Sequence, residues 1–392
     1  MARTRNIDFV FFDAGGGHRA AATALKTVIE QQQRPWSIRM VNFQEVLDEI
    51  DIFRKLAGIR LQDVYNLILK KGWTLGSPLG LVLMHWIIRL YHPAQLRVLQ
   101  KFWAASHPDL VVSLIPNFPR VLYQSLRSIH PHTPMVTILT DFADYPPHFW
   151  IEPGQRQHFI CGTAEACRQA QAMGYGGDRV FRTSGMILHP RFYAPPALDQ
   201  QAERVKLGLD PARPTGLLLF GGQGSRLMRS ILERLENAGT QAQFIAICGR
   251  NEKLRAQLSR PWRMPVFVEG FTSEIPYYMR LSDFFIGKPG PGSISEAIAM
   301  HLPVIVERNA WTLPQERYNA RWVEEMEVGI VLNSFSRITR ALDQLLEGGR
   351  LSRYRNNAAR LDNRAVFEIP QILEKLLTLE PESIGTSHSQ TH

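Results

Sequence analysis

Three consecutive glycines followed by a histidine mark the first place where this sequence could do chemistry. In "FVFFDAGGGHRAAA" an apolar run starting at Phe9 ends at Gly15, Gly16 and Gly17, and His18 opens a helical pattern. Glycines let the backbone turn sharply and let another molecule approach closely. The dipole at a helix N-terminus disfavours an imidazolium, so His18 is expected to stay neutral and able to accept a proton. An N-capping loop with an incidental histidine is the alternative; the space cleared around one titratable ring favours catalysis.

A second glycine-rich loop joins an apolar run to a helical pattern in "LLLFGGQGSRLM". Gly222, Gly224 and Ser225 stand at this joint, where backbone N–H groups at a helix N-terminus can bind an anion. The fingerprints of the P-loop and of dinucleotide-binding loops are both absent. A simple tight turn between strand and helix is an equally good interpretation of the residues alone.

The third loop, "FFIGKPGPGSISEAI", places a rigid Pro- and Gly-containing turn before a helix expected to begin near Ser293. Gly292 belongs to the turn. Ser293 and Glu296 have the S-x-x-E spacing of a capping box, which would explain the glutamate as structure. A carboxylate in a cleft could instead accept hydrogen bonds from both hydroxyls of a ribose. The residues leave these two interpretations open.

A fourth loop-to-helix joint, "WTLPQERYNA", carries Gln315 and Glu316. An amide and a carboxylate side by side can bind the hydroxyls of a sugar, whereas a solvated first helical turn is the alternative. Asp141, in "LTDFADYPP", ends an apolar run of the first half and is expected to orient the ring of His18. The sequence therefore offers one base and several polar loops.

Short apolar runs alternate with helical patterns along the whole chain, which predicts parallel sheets of the doubly wound α/β class. Two Rossmann-like domains facing a cleft are expected, with ligands bound outside the carboxyl ends of the strands. The predicted division is an N-terminal acceptor- and membrane-binding domain (1–190), a proline-rich linker (191–215), a C-terminal donor domain (216–365), a closing helix (366–379) and an unfolded tail (380–392).

Length and composition agree with this division. A chain of 392 residues exceeds one ordinary core, and 45% hydrophobic with 21% charged residues is typical of a globular protein. Three cysteines without metal-ligand spacing favour neither a disulfide framework nor a zinc site, so a reducing cytoplasmic compartment is expected. The N-terminal apolar stretch is too short for a signal peptide.

The net charge of +9 is concentrated in residues 52–105, where eight Lys or Arg face a single acid, Asp63. Aromatic residues accompany the basic ones, and together they favour contact with an anionic membrane surface. The uncharged stretch inside this window contains Pro78 and is too short to span a bilayer, so it is expected to lie on one. A helical insertion in the core and a nucleic-acid patch are the alternatives, the latter without any recognition signature. The predicted membrane residues are Trp73, Trp86, Arg89 and Trp103.

Together the four loops and the basic window resemble the glycosyltransferases that include monogalactosyldiacylglycerol synthases, processive diacylglycerol glucosyltransferases and the peptidoglycan N-acetylglucosaminyltransferase acting on lipid I. The resemblance is carried by "DAGGGHRAAA", "ICGRNEKL", "KPGPGSISEAI" and "QERYNA", and it covers about residues 7–335. It implies the GT-B fold, a UDP-sugar donor held by the second domain, and inversion at the anomeric carbon without a metal or other cofactor.

The resemblance also implies a role for each loop. His18 would be the base, and the residues from Gly222 to Ser225 would bind the diphosphate. Glu296 would bind the ribose, with Gln315 and Glu316 on the sugar. Phe271 and Thr272 would lie beside the uracil, and Arg250 would contribute to the nucleotide end.

The expected activity is therefore transfer of a hexose from UDP-galactose or UDP-glucose to diacylglycerol, on the inner face of the cell membrane. Two alternatives remain from the sequence: a UDP-N-acetylglucosamine transferase acting on a polyprenyl-diphosphate lipid, and a non-catalytic nucleotide-binding protein of the membrane surface. The GGGH spacing disfavours the first, and the presence of His18 beside the donor loops disfavours the second.

Overall fold

The computed structural model of this protein describes residues 3–13, 17–47, 92–193, 198–310 and 312–378. Gly15, Gly16, Trp73, Trp86 and Arg89, which were predicted to act at the acceptor loop or the membrane, lie outside these ranges. The described residues form two six-stranded parallel sheets with helices packed on them. The predicted GT-B fold class is therefore confirmed.

The first sheet has the strand order β2-β1-β3-β4-β5-β6, and every neighbouring pair is parallel. Its central strands are buried along their whole length, which is why they read as unbroken apolar runs in the sequence. The strands are β1 (Arg5–Phe11), β2 (Trp36–Asn42), β3 (Leu110–Ser113), β4 (Met135–Ile138), β5 (His158–Cys161) and β6 (Val180–Arg182).

Helices of this half follow the strands, as βαβ units require. An apolar stripe on α1, which includes Leu25 and Ile29, packs on the sheet and forms one buried cluster with β1 and β3. The helices are α1 (Gly17–Gln31), α2 (Phe43–Leu47), α3 (His92–Ala104), α4 (Pro119–Ile129) and α5 (Ala164–Ala172).

The second sheet has the order β12-β11-β10-β7-β8-β9, again parallel throughout. Strands β7, β8 and β10 are fully buried. The strands are β7 (Thr215–Leu219), β8 (Gln243–Ile247), β9 (Val266–Glu269), β10 (Phe284–Gly287), β11 (Val304–Glu307) and β12 (Gly329–Leu332). This is the strand order of a Rossmann sheet, in which the order of the strands reverses between the neighbouring β7 and β10.

The proline-rich stretch predicted as a bare linker contains a helix, α6 (Gln200–Lys206), capped by Asp199. Arg204 is buried and holds α6 on the second domain through hydrogen bonds to the Leu281 carbonyl (2.9 Å) and the Asp283 carboxylate (2.8 Å). Gln200 also donates to the Arg280 carbonyl at 2.9 Å, and Glu203 accepts from the hydroxyl of Tyr277 at 2.8 Å. The predicted linker therefore contains a helix held by polar tertiary contacts, which leave no apolar period in the sequence.

The remaining helices surround the second sheet, except the last one, which returns to the first domain. They are α7 (Leu227–Asn237), α8 (Glu252–Leu258), α9 (Ile275–Arg280), α10 (Pro291–Ala299), α11 (Arg317–Glu325), α12 (Ile338–Leu346), α13 (Arg350–Ala359) and α14 (Ala365–Thr378). Val366, Ile369 and Leu373 of α14 join the buried cluster of α1 and β1. The chain therefore crosses between the two domains a second time.

Candidate active site

His18 lies in the first turn of α1, directly beyond the carboxyl end of β1. Its Nδ1 is 3.0 Å from the hydroxyl of Thr140, and its ring centroid is 5.9 Å from that of Trp150. Burial lowers the pKa of His18 to about 4, against a smaller opposing effect of a hydrogen bond to the Leu114 carbonyl. The imidazole is therefore neutral at pH 7. The main cause is desolvation by burial, whereas the sequence predicted an effect of the helix dipole.

Thr140, and not Asp141, is the partner of the His18 ring, which corrects the orienting role predicted for Asp141. The Asp141 carboxylate accepts a hydrogen bond from the indole N–H of Trp150 at 2.9 Å. Burial raises the pKa of Asp141 to about 7, while the Trp150 bond opposes that shift. Strand β4 ends two residues before Thr140. After this end the consecutive residues Thr140 and Asp141 contact different side chains, those of His18 and Trp150.

Two charged groups of the second domain act on Asp141 of the first, and they form an ion pair with each other. Lys288 Nζ donates to Glu316 Oε1 at 3.0 Å, and both groups influence the pKa of Asp141. Glu316 is 11% exposed at its side chain and Lys288 is 43% exposed, so the ammonium is the more accessible member. Beside this pair, Gln315 has its Oε1 buried without a hydrogen-bond partner. A buried acceptor of this kind is costly unless a ligand supplies the donor.

Glu296 lies on α10, which begins at Pro291 with Gly290 as its N-cap and has no side-chain capping bond. Ser293 is thus already inside the first helical turn, and the capping-box interpretation of Ser293 and Glu296 is wrong. Burial alone raises the pKa of Glu296 to about 7. Within the described ranges no hydrogen bond or ion pair reaches its carboxylate, so the group keeps its full capacity to bind a ligand.

The second glycine loop is held by the segment after β8. Gly224 has a φ of +59°, and a Cβ there would lie 2.6 Å from the carbonyl oxygen of Cys248, so the loop needs glycine at this point. The side-chain amide of Asn251 donates to the Gln223 carbonyl at 3.3 Å. Ser225 accepts a hydrogen bond from the backbone N–H of Leu227 at 3.2 Å, just before α7. The two loops therefore form one rigid rim.

The residues predicted for the nucleotide end of the site also lie close together. The Arg250 guanidinium stacks over the ring of Phe271 at 4.6 Å, and its backbone N–H donates to the Gly222 carbonyl at 2.9 Å. Phe271 is 61% exposed, which is unusual for a large apolar side chain and leaves one ring face open. The hydroxyl of Thr272 accepts from the backbone N–H of Glu274 at 3.0 Å.

Sequence reasoning missed three residues of this region: Thr140, Lys288 and Asn319. Asn319 is fully buried, donates to the Pro289 carbonyl at 2.9 Å, and keeps its Oδ1 without a partner. It thereby fixes the turn between β10 and α10. The sequence does point to Lys288, because a charged residue directly after a buried strand is uncommon.

The membrane contact predicted for Trp103 is wrong. Trp103 is 1% exposed, packs in the core of the first domain, and donates its indole N–H to Ser125 at 2.9 Å. Gln95, Leu99 and Trp103 recur at helical spacing and form the buried face of α3. Arg97 and Lys101 lie on the exposed face. Among the described residues, no helix combines the length and the apolar character needed to cross a bilayer.

Comparison with known proteins agrees with this geometry. The family described as Glycosyltransferase family 28 C-terminal domain matches residues 217–375. Over 424 residues the chain is 28% identical to a probable chloroplastic monogalactosyldiacylglycerol synthase 2 of Oryza sativa subsp. japonica, with 99% of this chain and 85% of the relative covered. It is 26% identical over 398 residues to monogalactosyldiacylglycerol synthase 2 of Arabidopsis thaliana, covering 95% and 81%.

Solved structures share the fold at low sequence identity. The crystal structure of Acinetobacter baumannii MurG superposes with a TM-score of 0.59 at 11% identity, covering 95% of this chain and 99% of that one. The calicheamicin glycosyltransferase CalG4 gives 0.58 at 16% identity, covering 96% and 99%. Anabaena HepE in complex with UDP and glucose gives 0.54 at 16%, covering 96% and 100%. The chain therefore has the GT-B fold, its residues 217–375 match the family 28 C-terminal domain, and it is similar to the monogalactosyldiacylglycerol synthases along nearly its whole length.

Proposed function

We propose that this protein transfers a hexose from a UDP-sugar to the hydroxyl group of a membrane lipid, diacylglycerol, with inversion at the anomeric carbon. One observation carries the proposal. The neutral ring of His18 lies 5.9 Å from the ring of Trp150, whose indole N–H donates to Asp141. Lys288 and Glu316 of the second domain in turn influence the pKa of Asp141. A base and a set of polar sugar ligands thus meet at one cleft.

In this reaction His18 takes the proton of the acceptor hydroxyl as its oxygen attacks the anomeric carbon. Because burial holds the pKa of His18 near 4, the imidazole is in its basic form throughout the physiological range. Thr140 contacts Nδ1 at 3.0 Å and thereby orients the ring, and in the tautomer whose Nδ1–H donates to that hydroxyl Nε2 is the atom that takes up the proton. The hydroxyl of Thr140 is therefore a positioning group for the base.

The donor is proposed to bind along the second domain. The open face of Phe271 suits a uracil ring, and the unpartnered carboxylate of Glu296 suits the two ribose hydroxyls. The buried Oε1 of Gln315, which has no hydrogen-bond partner, would accept a hydrogen bond from a hydroxyl of the hexose. The loop from Gly222 to Ser225 would bind the diphosphate. The UDP and glucose in the Anabaena HepE complex support a UDP-sugar as donor. No metal or other cofactor takes part in the proposed step.

A lipid acceptor is supported by the names of the relatives, which are monogalactosyldiacylglycerol synthases. The acceptor would reach the cleft from the membrane surface, with the protein bound peripherally on its cytoplasmic side. The exposed Arg97 and Lys101 of α3 are two of the eight basic residues in the window 52–105 and carry positive charge toward solvent. Attraction to an anionic leaflet would hold the first domain, and with it His18, near the lipid.

Incubation of the purified protein with diacylglycerol vesicles and each of UDP-galactose, UDP-glucose and UDP-N-acetylglucosamine tests the proposal. Mass analysis of the lipid should show one added hexose, with equal yield in the presence of EDTA. Hexose transfer to water only, or a product formed only on a polyprenyl-diphosphate lipid, would refute the acceptor assignment. UDP binding without any sugar transfer would favour a non-catalytic protein.

Replacement of His18 by alanine tests the base. Loss of a general base is expected to lower kcat by about 100-fold to 10,000-fold while UDP affinity stays unchanged. His132→Ala, a change at an exposed histidine of the same domain, serves as the matched control. Equal turnover by His18→Ala and His132→Ala would rule out the assignment.

A further inference from the structure

A cavity of about 580 Å³ lies where the chain leaves the first domain and where it returns to that domain. Its walls come from the second half of α1, from residues 189–193 and from the start of α14, and they include Thr27, Gln31, His189, Arg191, Tyr193 and Phe367. At 1.5 Å per residue, Thr27 lies about 14 Å along α1 from His18. The cavity is therefore separate from the proposed active site.

Two aromatic rings form one wall of this cavity. Tyr193 and Phe367 meet edge-on, with their ring centroids 4.9 Å apart, and the Arg364 guanidinium lies 5.6 Å and 5.0 Å from the two centroids. The hydroxyl of Tyr193 is buried and has no hydrogen-bond partner among the described residues. A buried polar group without a partner is uncommon in a folded protein, and a ligand in the cavity can supply the missing partner.

The polar groups of the cavity favour a negatively charged ligand. Nδ1 of His189 accepts a hydrogen bond from the backbone N–H of Arg191 at 3.2 Å, so the neutral ring carries its proton on Nε2 and can donate it. Burial and the charge of Arg191 lower the pKa of His189, which keeps that ring neutral at pH 7. Arg191 and Gln31 are exposed and offer a guanidinium and an amide. None of the described residues that line the cavity is acidic.

Charge, donors and aromatic rings together match one class of ligand. We propose that the cavity binds a phosphate monoester of a hydroxylated ring compound, a sugar phosphate or a nucleotide, at a site separate from that of sugar transfer. The phosphate contacts the guanidinium of Arg191 and Nε2–H of His189, a pairing suited to anion recognition. The ring of the ligand packs on Tyr193 and Phe367, and its hydroxyls face the amide of Gln31. This inference goes beyond the proposed function and does not depend on it.

An ion pair gives Arg191 a second possible role. Its guanidinium lies 3.4 Å from the carboxylate of Glu274 in the second domain, and both side chains are exposed. Exposed pairs of this kind contribute little to stability. Glu274→Gln removes the carboxylate and keeps the cation, whereas Arg191→Gln removes the cation. A phosphate site therefore requires that Arg191→Gln impair binding and that Glu274→Gln leave it intact.

Calorimetry of the full chain with saturating UDP, which occupies the proposed donor site, tests the inference. The probes are glucose 6-phosphate, AMP, glucose and inorganic phosphate. One of the two esters should bind, and glucose should not. Arg191→Gln should weaken binding of that ester by about 10-fold to 100-fold, because a charged hydrogen bond is lost. Tyr193→Phe keeps the ring, removes the unpartnered hydroxyl and should weaken binding by about 3-fold to 10-fold.

The controls are Glu274→Gln and Arg340→Gln, the latter at an exposed arginine of α12, and both should bind the ester as wild type does. Binding of AMP alone would identify a nucleotide site, and binding of glucose 6-phosphate alone a sugar-phosphate site; both results support the inference. Failure of both esters to bind at millimolar concentration would overturn it. Equal affinity of wild type and Arg191→Gln, or inorganic phosphate binding as tightly as the ester, would also overturn it.

Discussion

Replacing Glu296 by glutamine should stabilise the protein and at the same time weaken nucleotide binding. Burial raises the pKa of Glu296 from its usual 4.5 to about 7, and the carboxylate has no partner among the described residues. Because the pKa is higher in the folded state, folding favours the protonated acid. The resulting stability is fully present below the unfolded pKa and is lost as pH rises through the folded one.

The size of the effect follows from the shift. Above pH 7 an ionised Glu296 costs the folded state about 3 kcal/mol relative to a neutral side chain. Glutamine has the same shape and no charge, so Glu296→Gln should be more stable than wild type by about that amount near pH 8. The difference should shrink steadily on acidification and vanish near pH 4, where both side chains are neutral in either state.

Urea unfolding of wild type and Glu296→Gln across this pH range, followed by tryptophan fluorescence, measures the difference. Glu347→Gln removes an equal charge from an exposed position and should show no comparable pH dependence. UDP affinity of Glu296→Gln should fall by about 10-fold to 100-fold near pH 8, because a neutral amide replaces a carboxylate that accepts from both ribose hydroxyls. A variant that is destabilised at every pH, or whose stability difference is independent of pH, would refute this reasoning.

Two other predictions concern the first domain. Thr140→Val should lower kcat by about 10-fold with little change in KM for the lipid, because the ring of His18 loses its hydrogen-bond partner. Thr140→Ser keeps the hydroxyl and should restore the rate. An unchanged kcat in Thr140→Val would show that Thr140 does not position the ring. Arg97→Gln combined with Lys101→Gln should weaken binding to anionic vesicles by about 30-fold at low salt and much less at high salt. Equal binding by the double variant and wild type would exclude α3 from the membrane contact.

The fold could be predicted because the central strands of both sheets, β3 and β4 in the first and β7, β8 and β10 in the second, are buried and therefore apolar along their length. The alternation of short apolar runs with helical patterns corresponds to the parallel strands and helices of both sheets. The short helix α6 was not predicted because polar tertiary contacts, including the ion pair of Arg204 with Asp283, hold it and leave no period in the sequence.

The candidate site could be predicted only in part, because glycine loops identify where ligands approach but not which side chains meet there. Thr140 and Asp141 are adjacent at the end of β4, and nothing in the sequence says which of them reaches His18. Trp103 was misjudged for a different reason: its basic neighbours suggested a membrane, although its helical spacing with Leu99 predicts a core position.

Contacts between the two domains join the segment that follows Asp141 to the helix that follows Glu316. The ring of Tyr145 stacks on that of Tyr318 at 6.0 Å, and Phe142 packs edge-on against Trp322 at 4.8 Å. Tyr318 and Trp322 lie on α11, which begins directly after Glu316. Their partners lie in the segment directly after Asp141, so these two regions of the proposed site pack on each other. Each aromatic pair contributes only about 1 kcal/mol beyond the area it buries. The contact between the two domains is therefore specific in geometry, and it is extended by Phe142 and Ala143 of the first domain, which join a buried apolar cluster with strands and helices of the second.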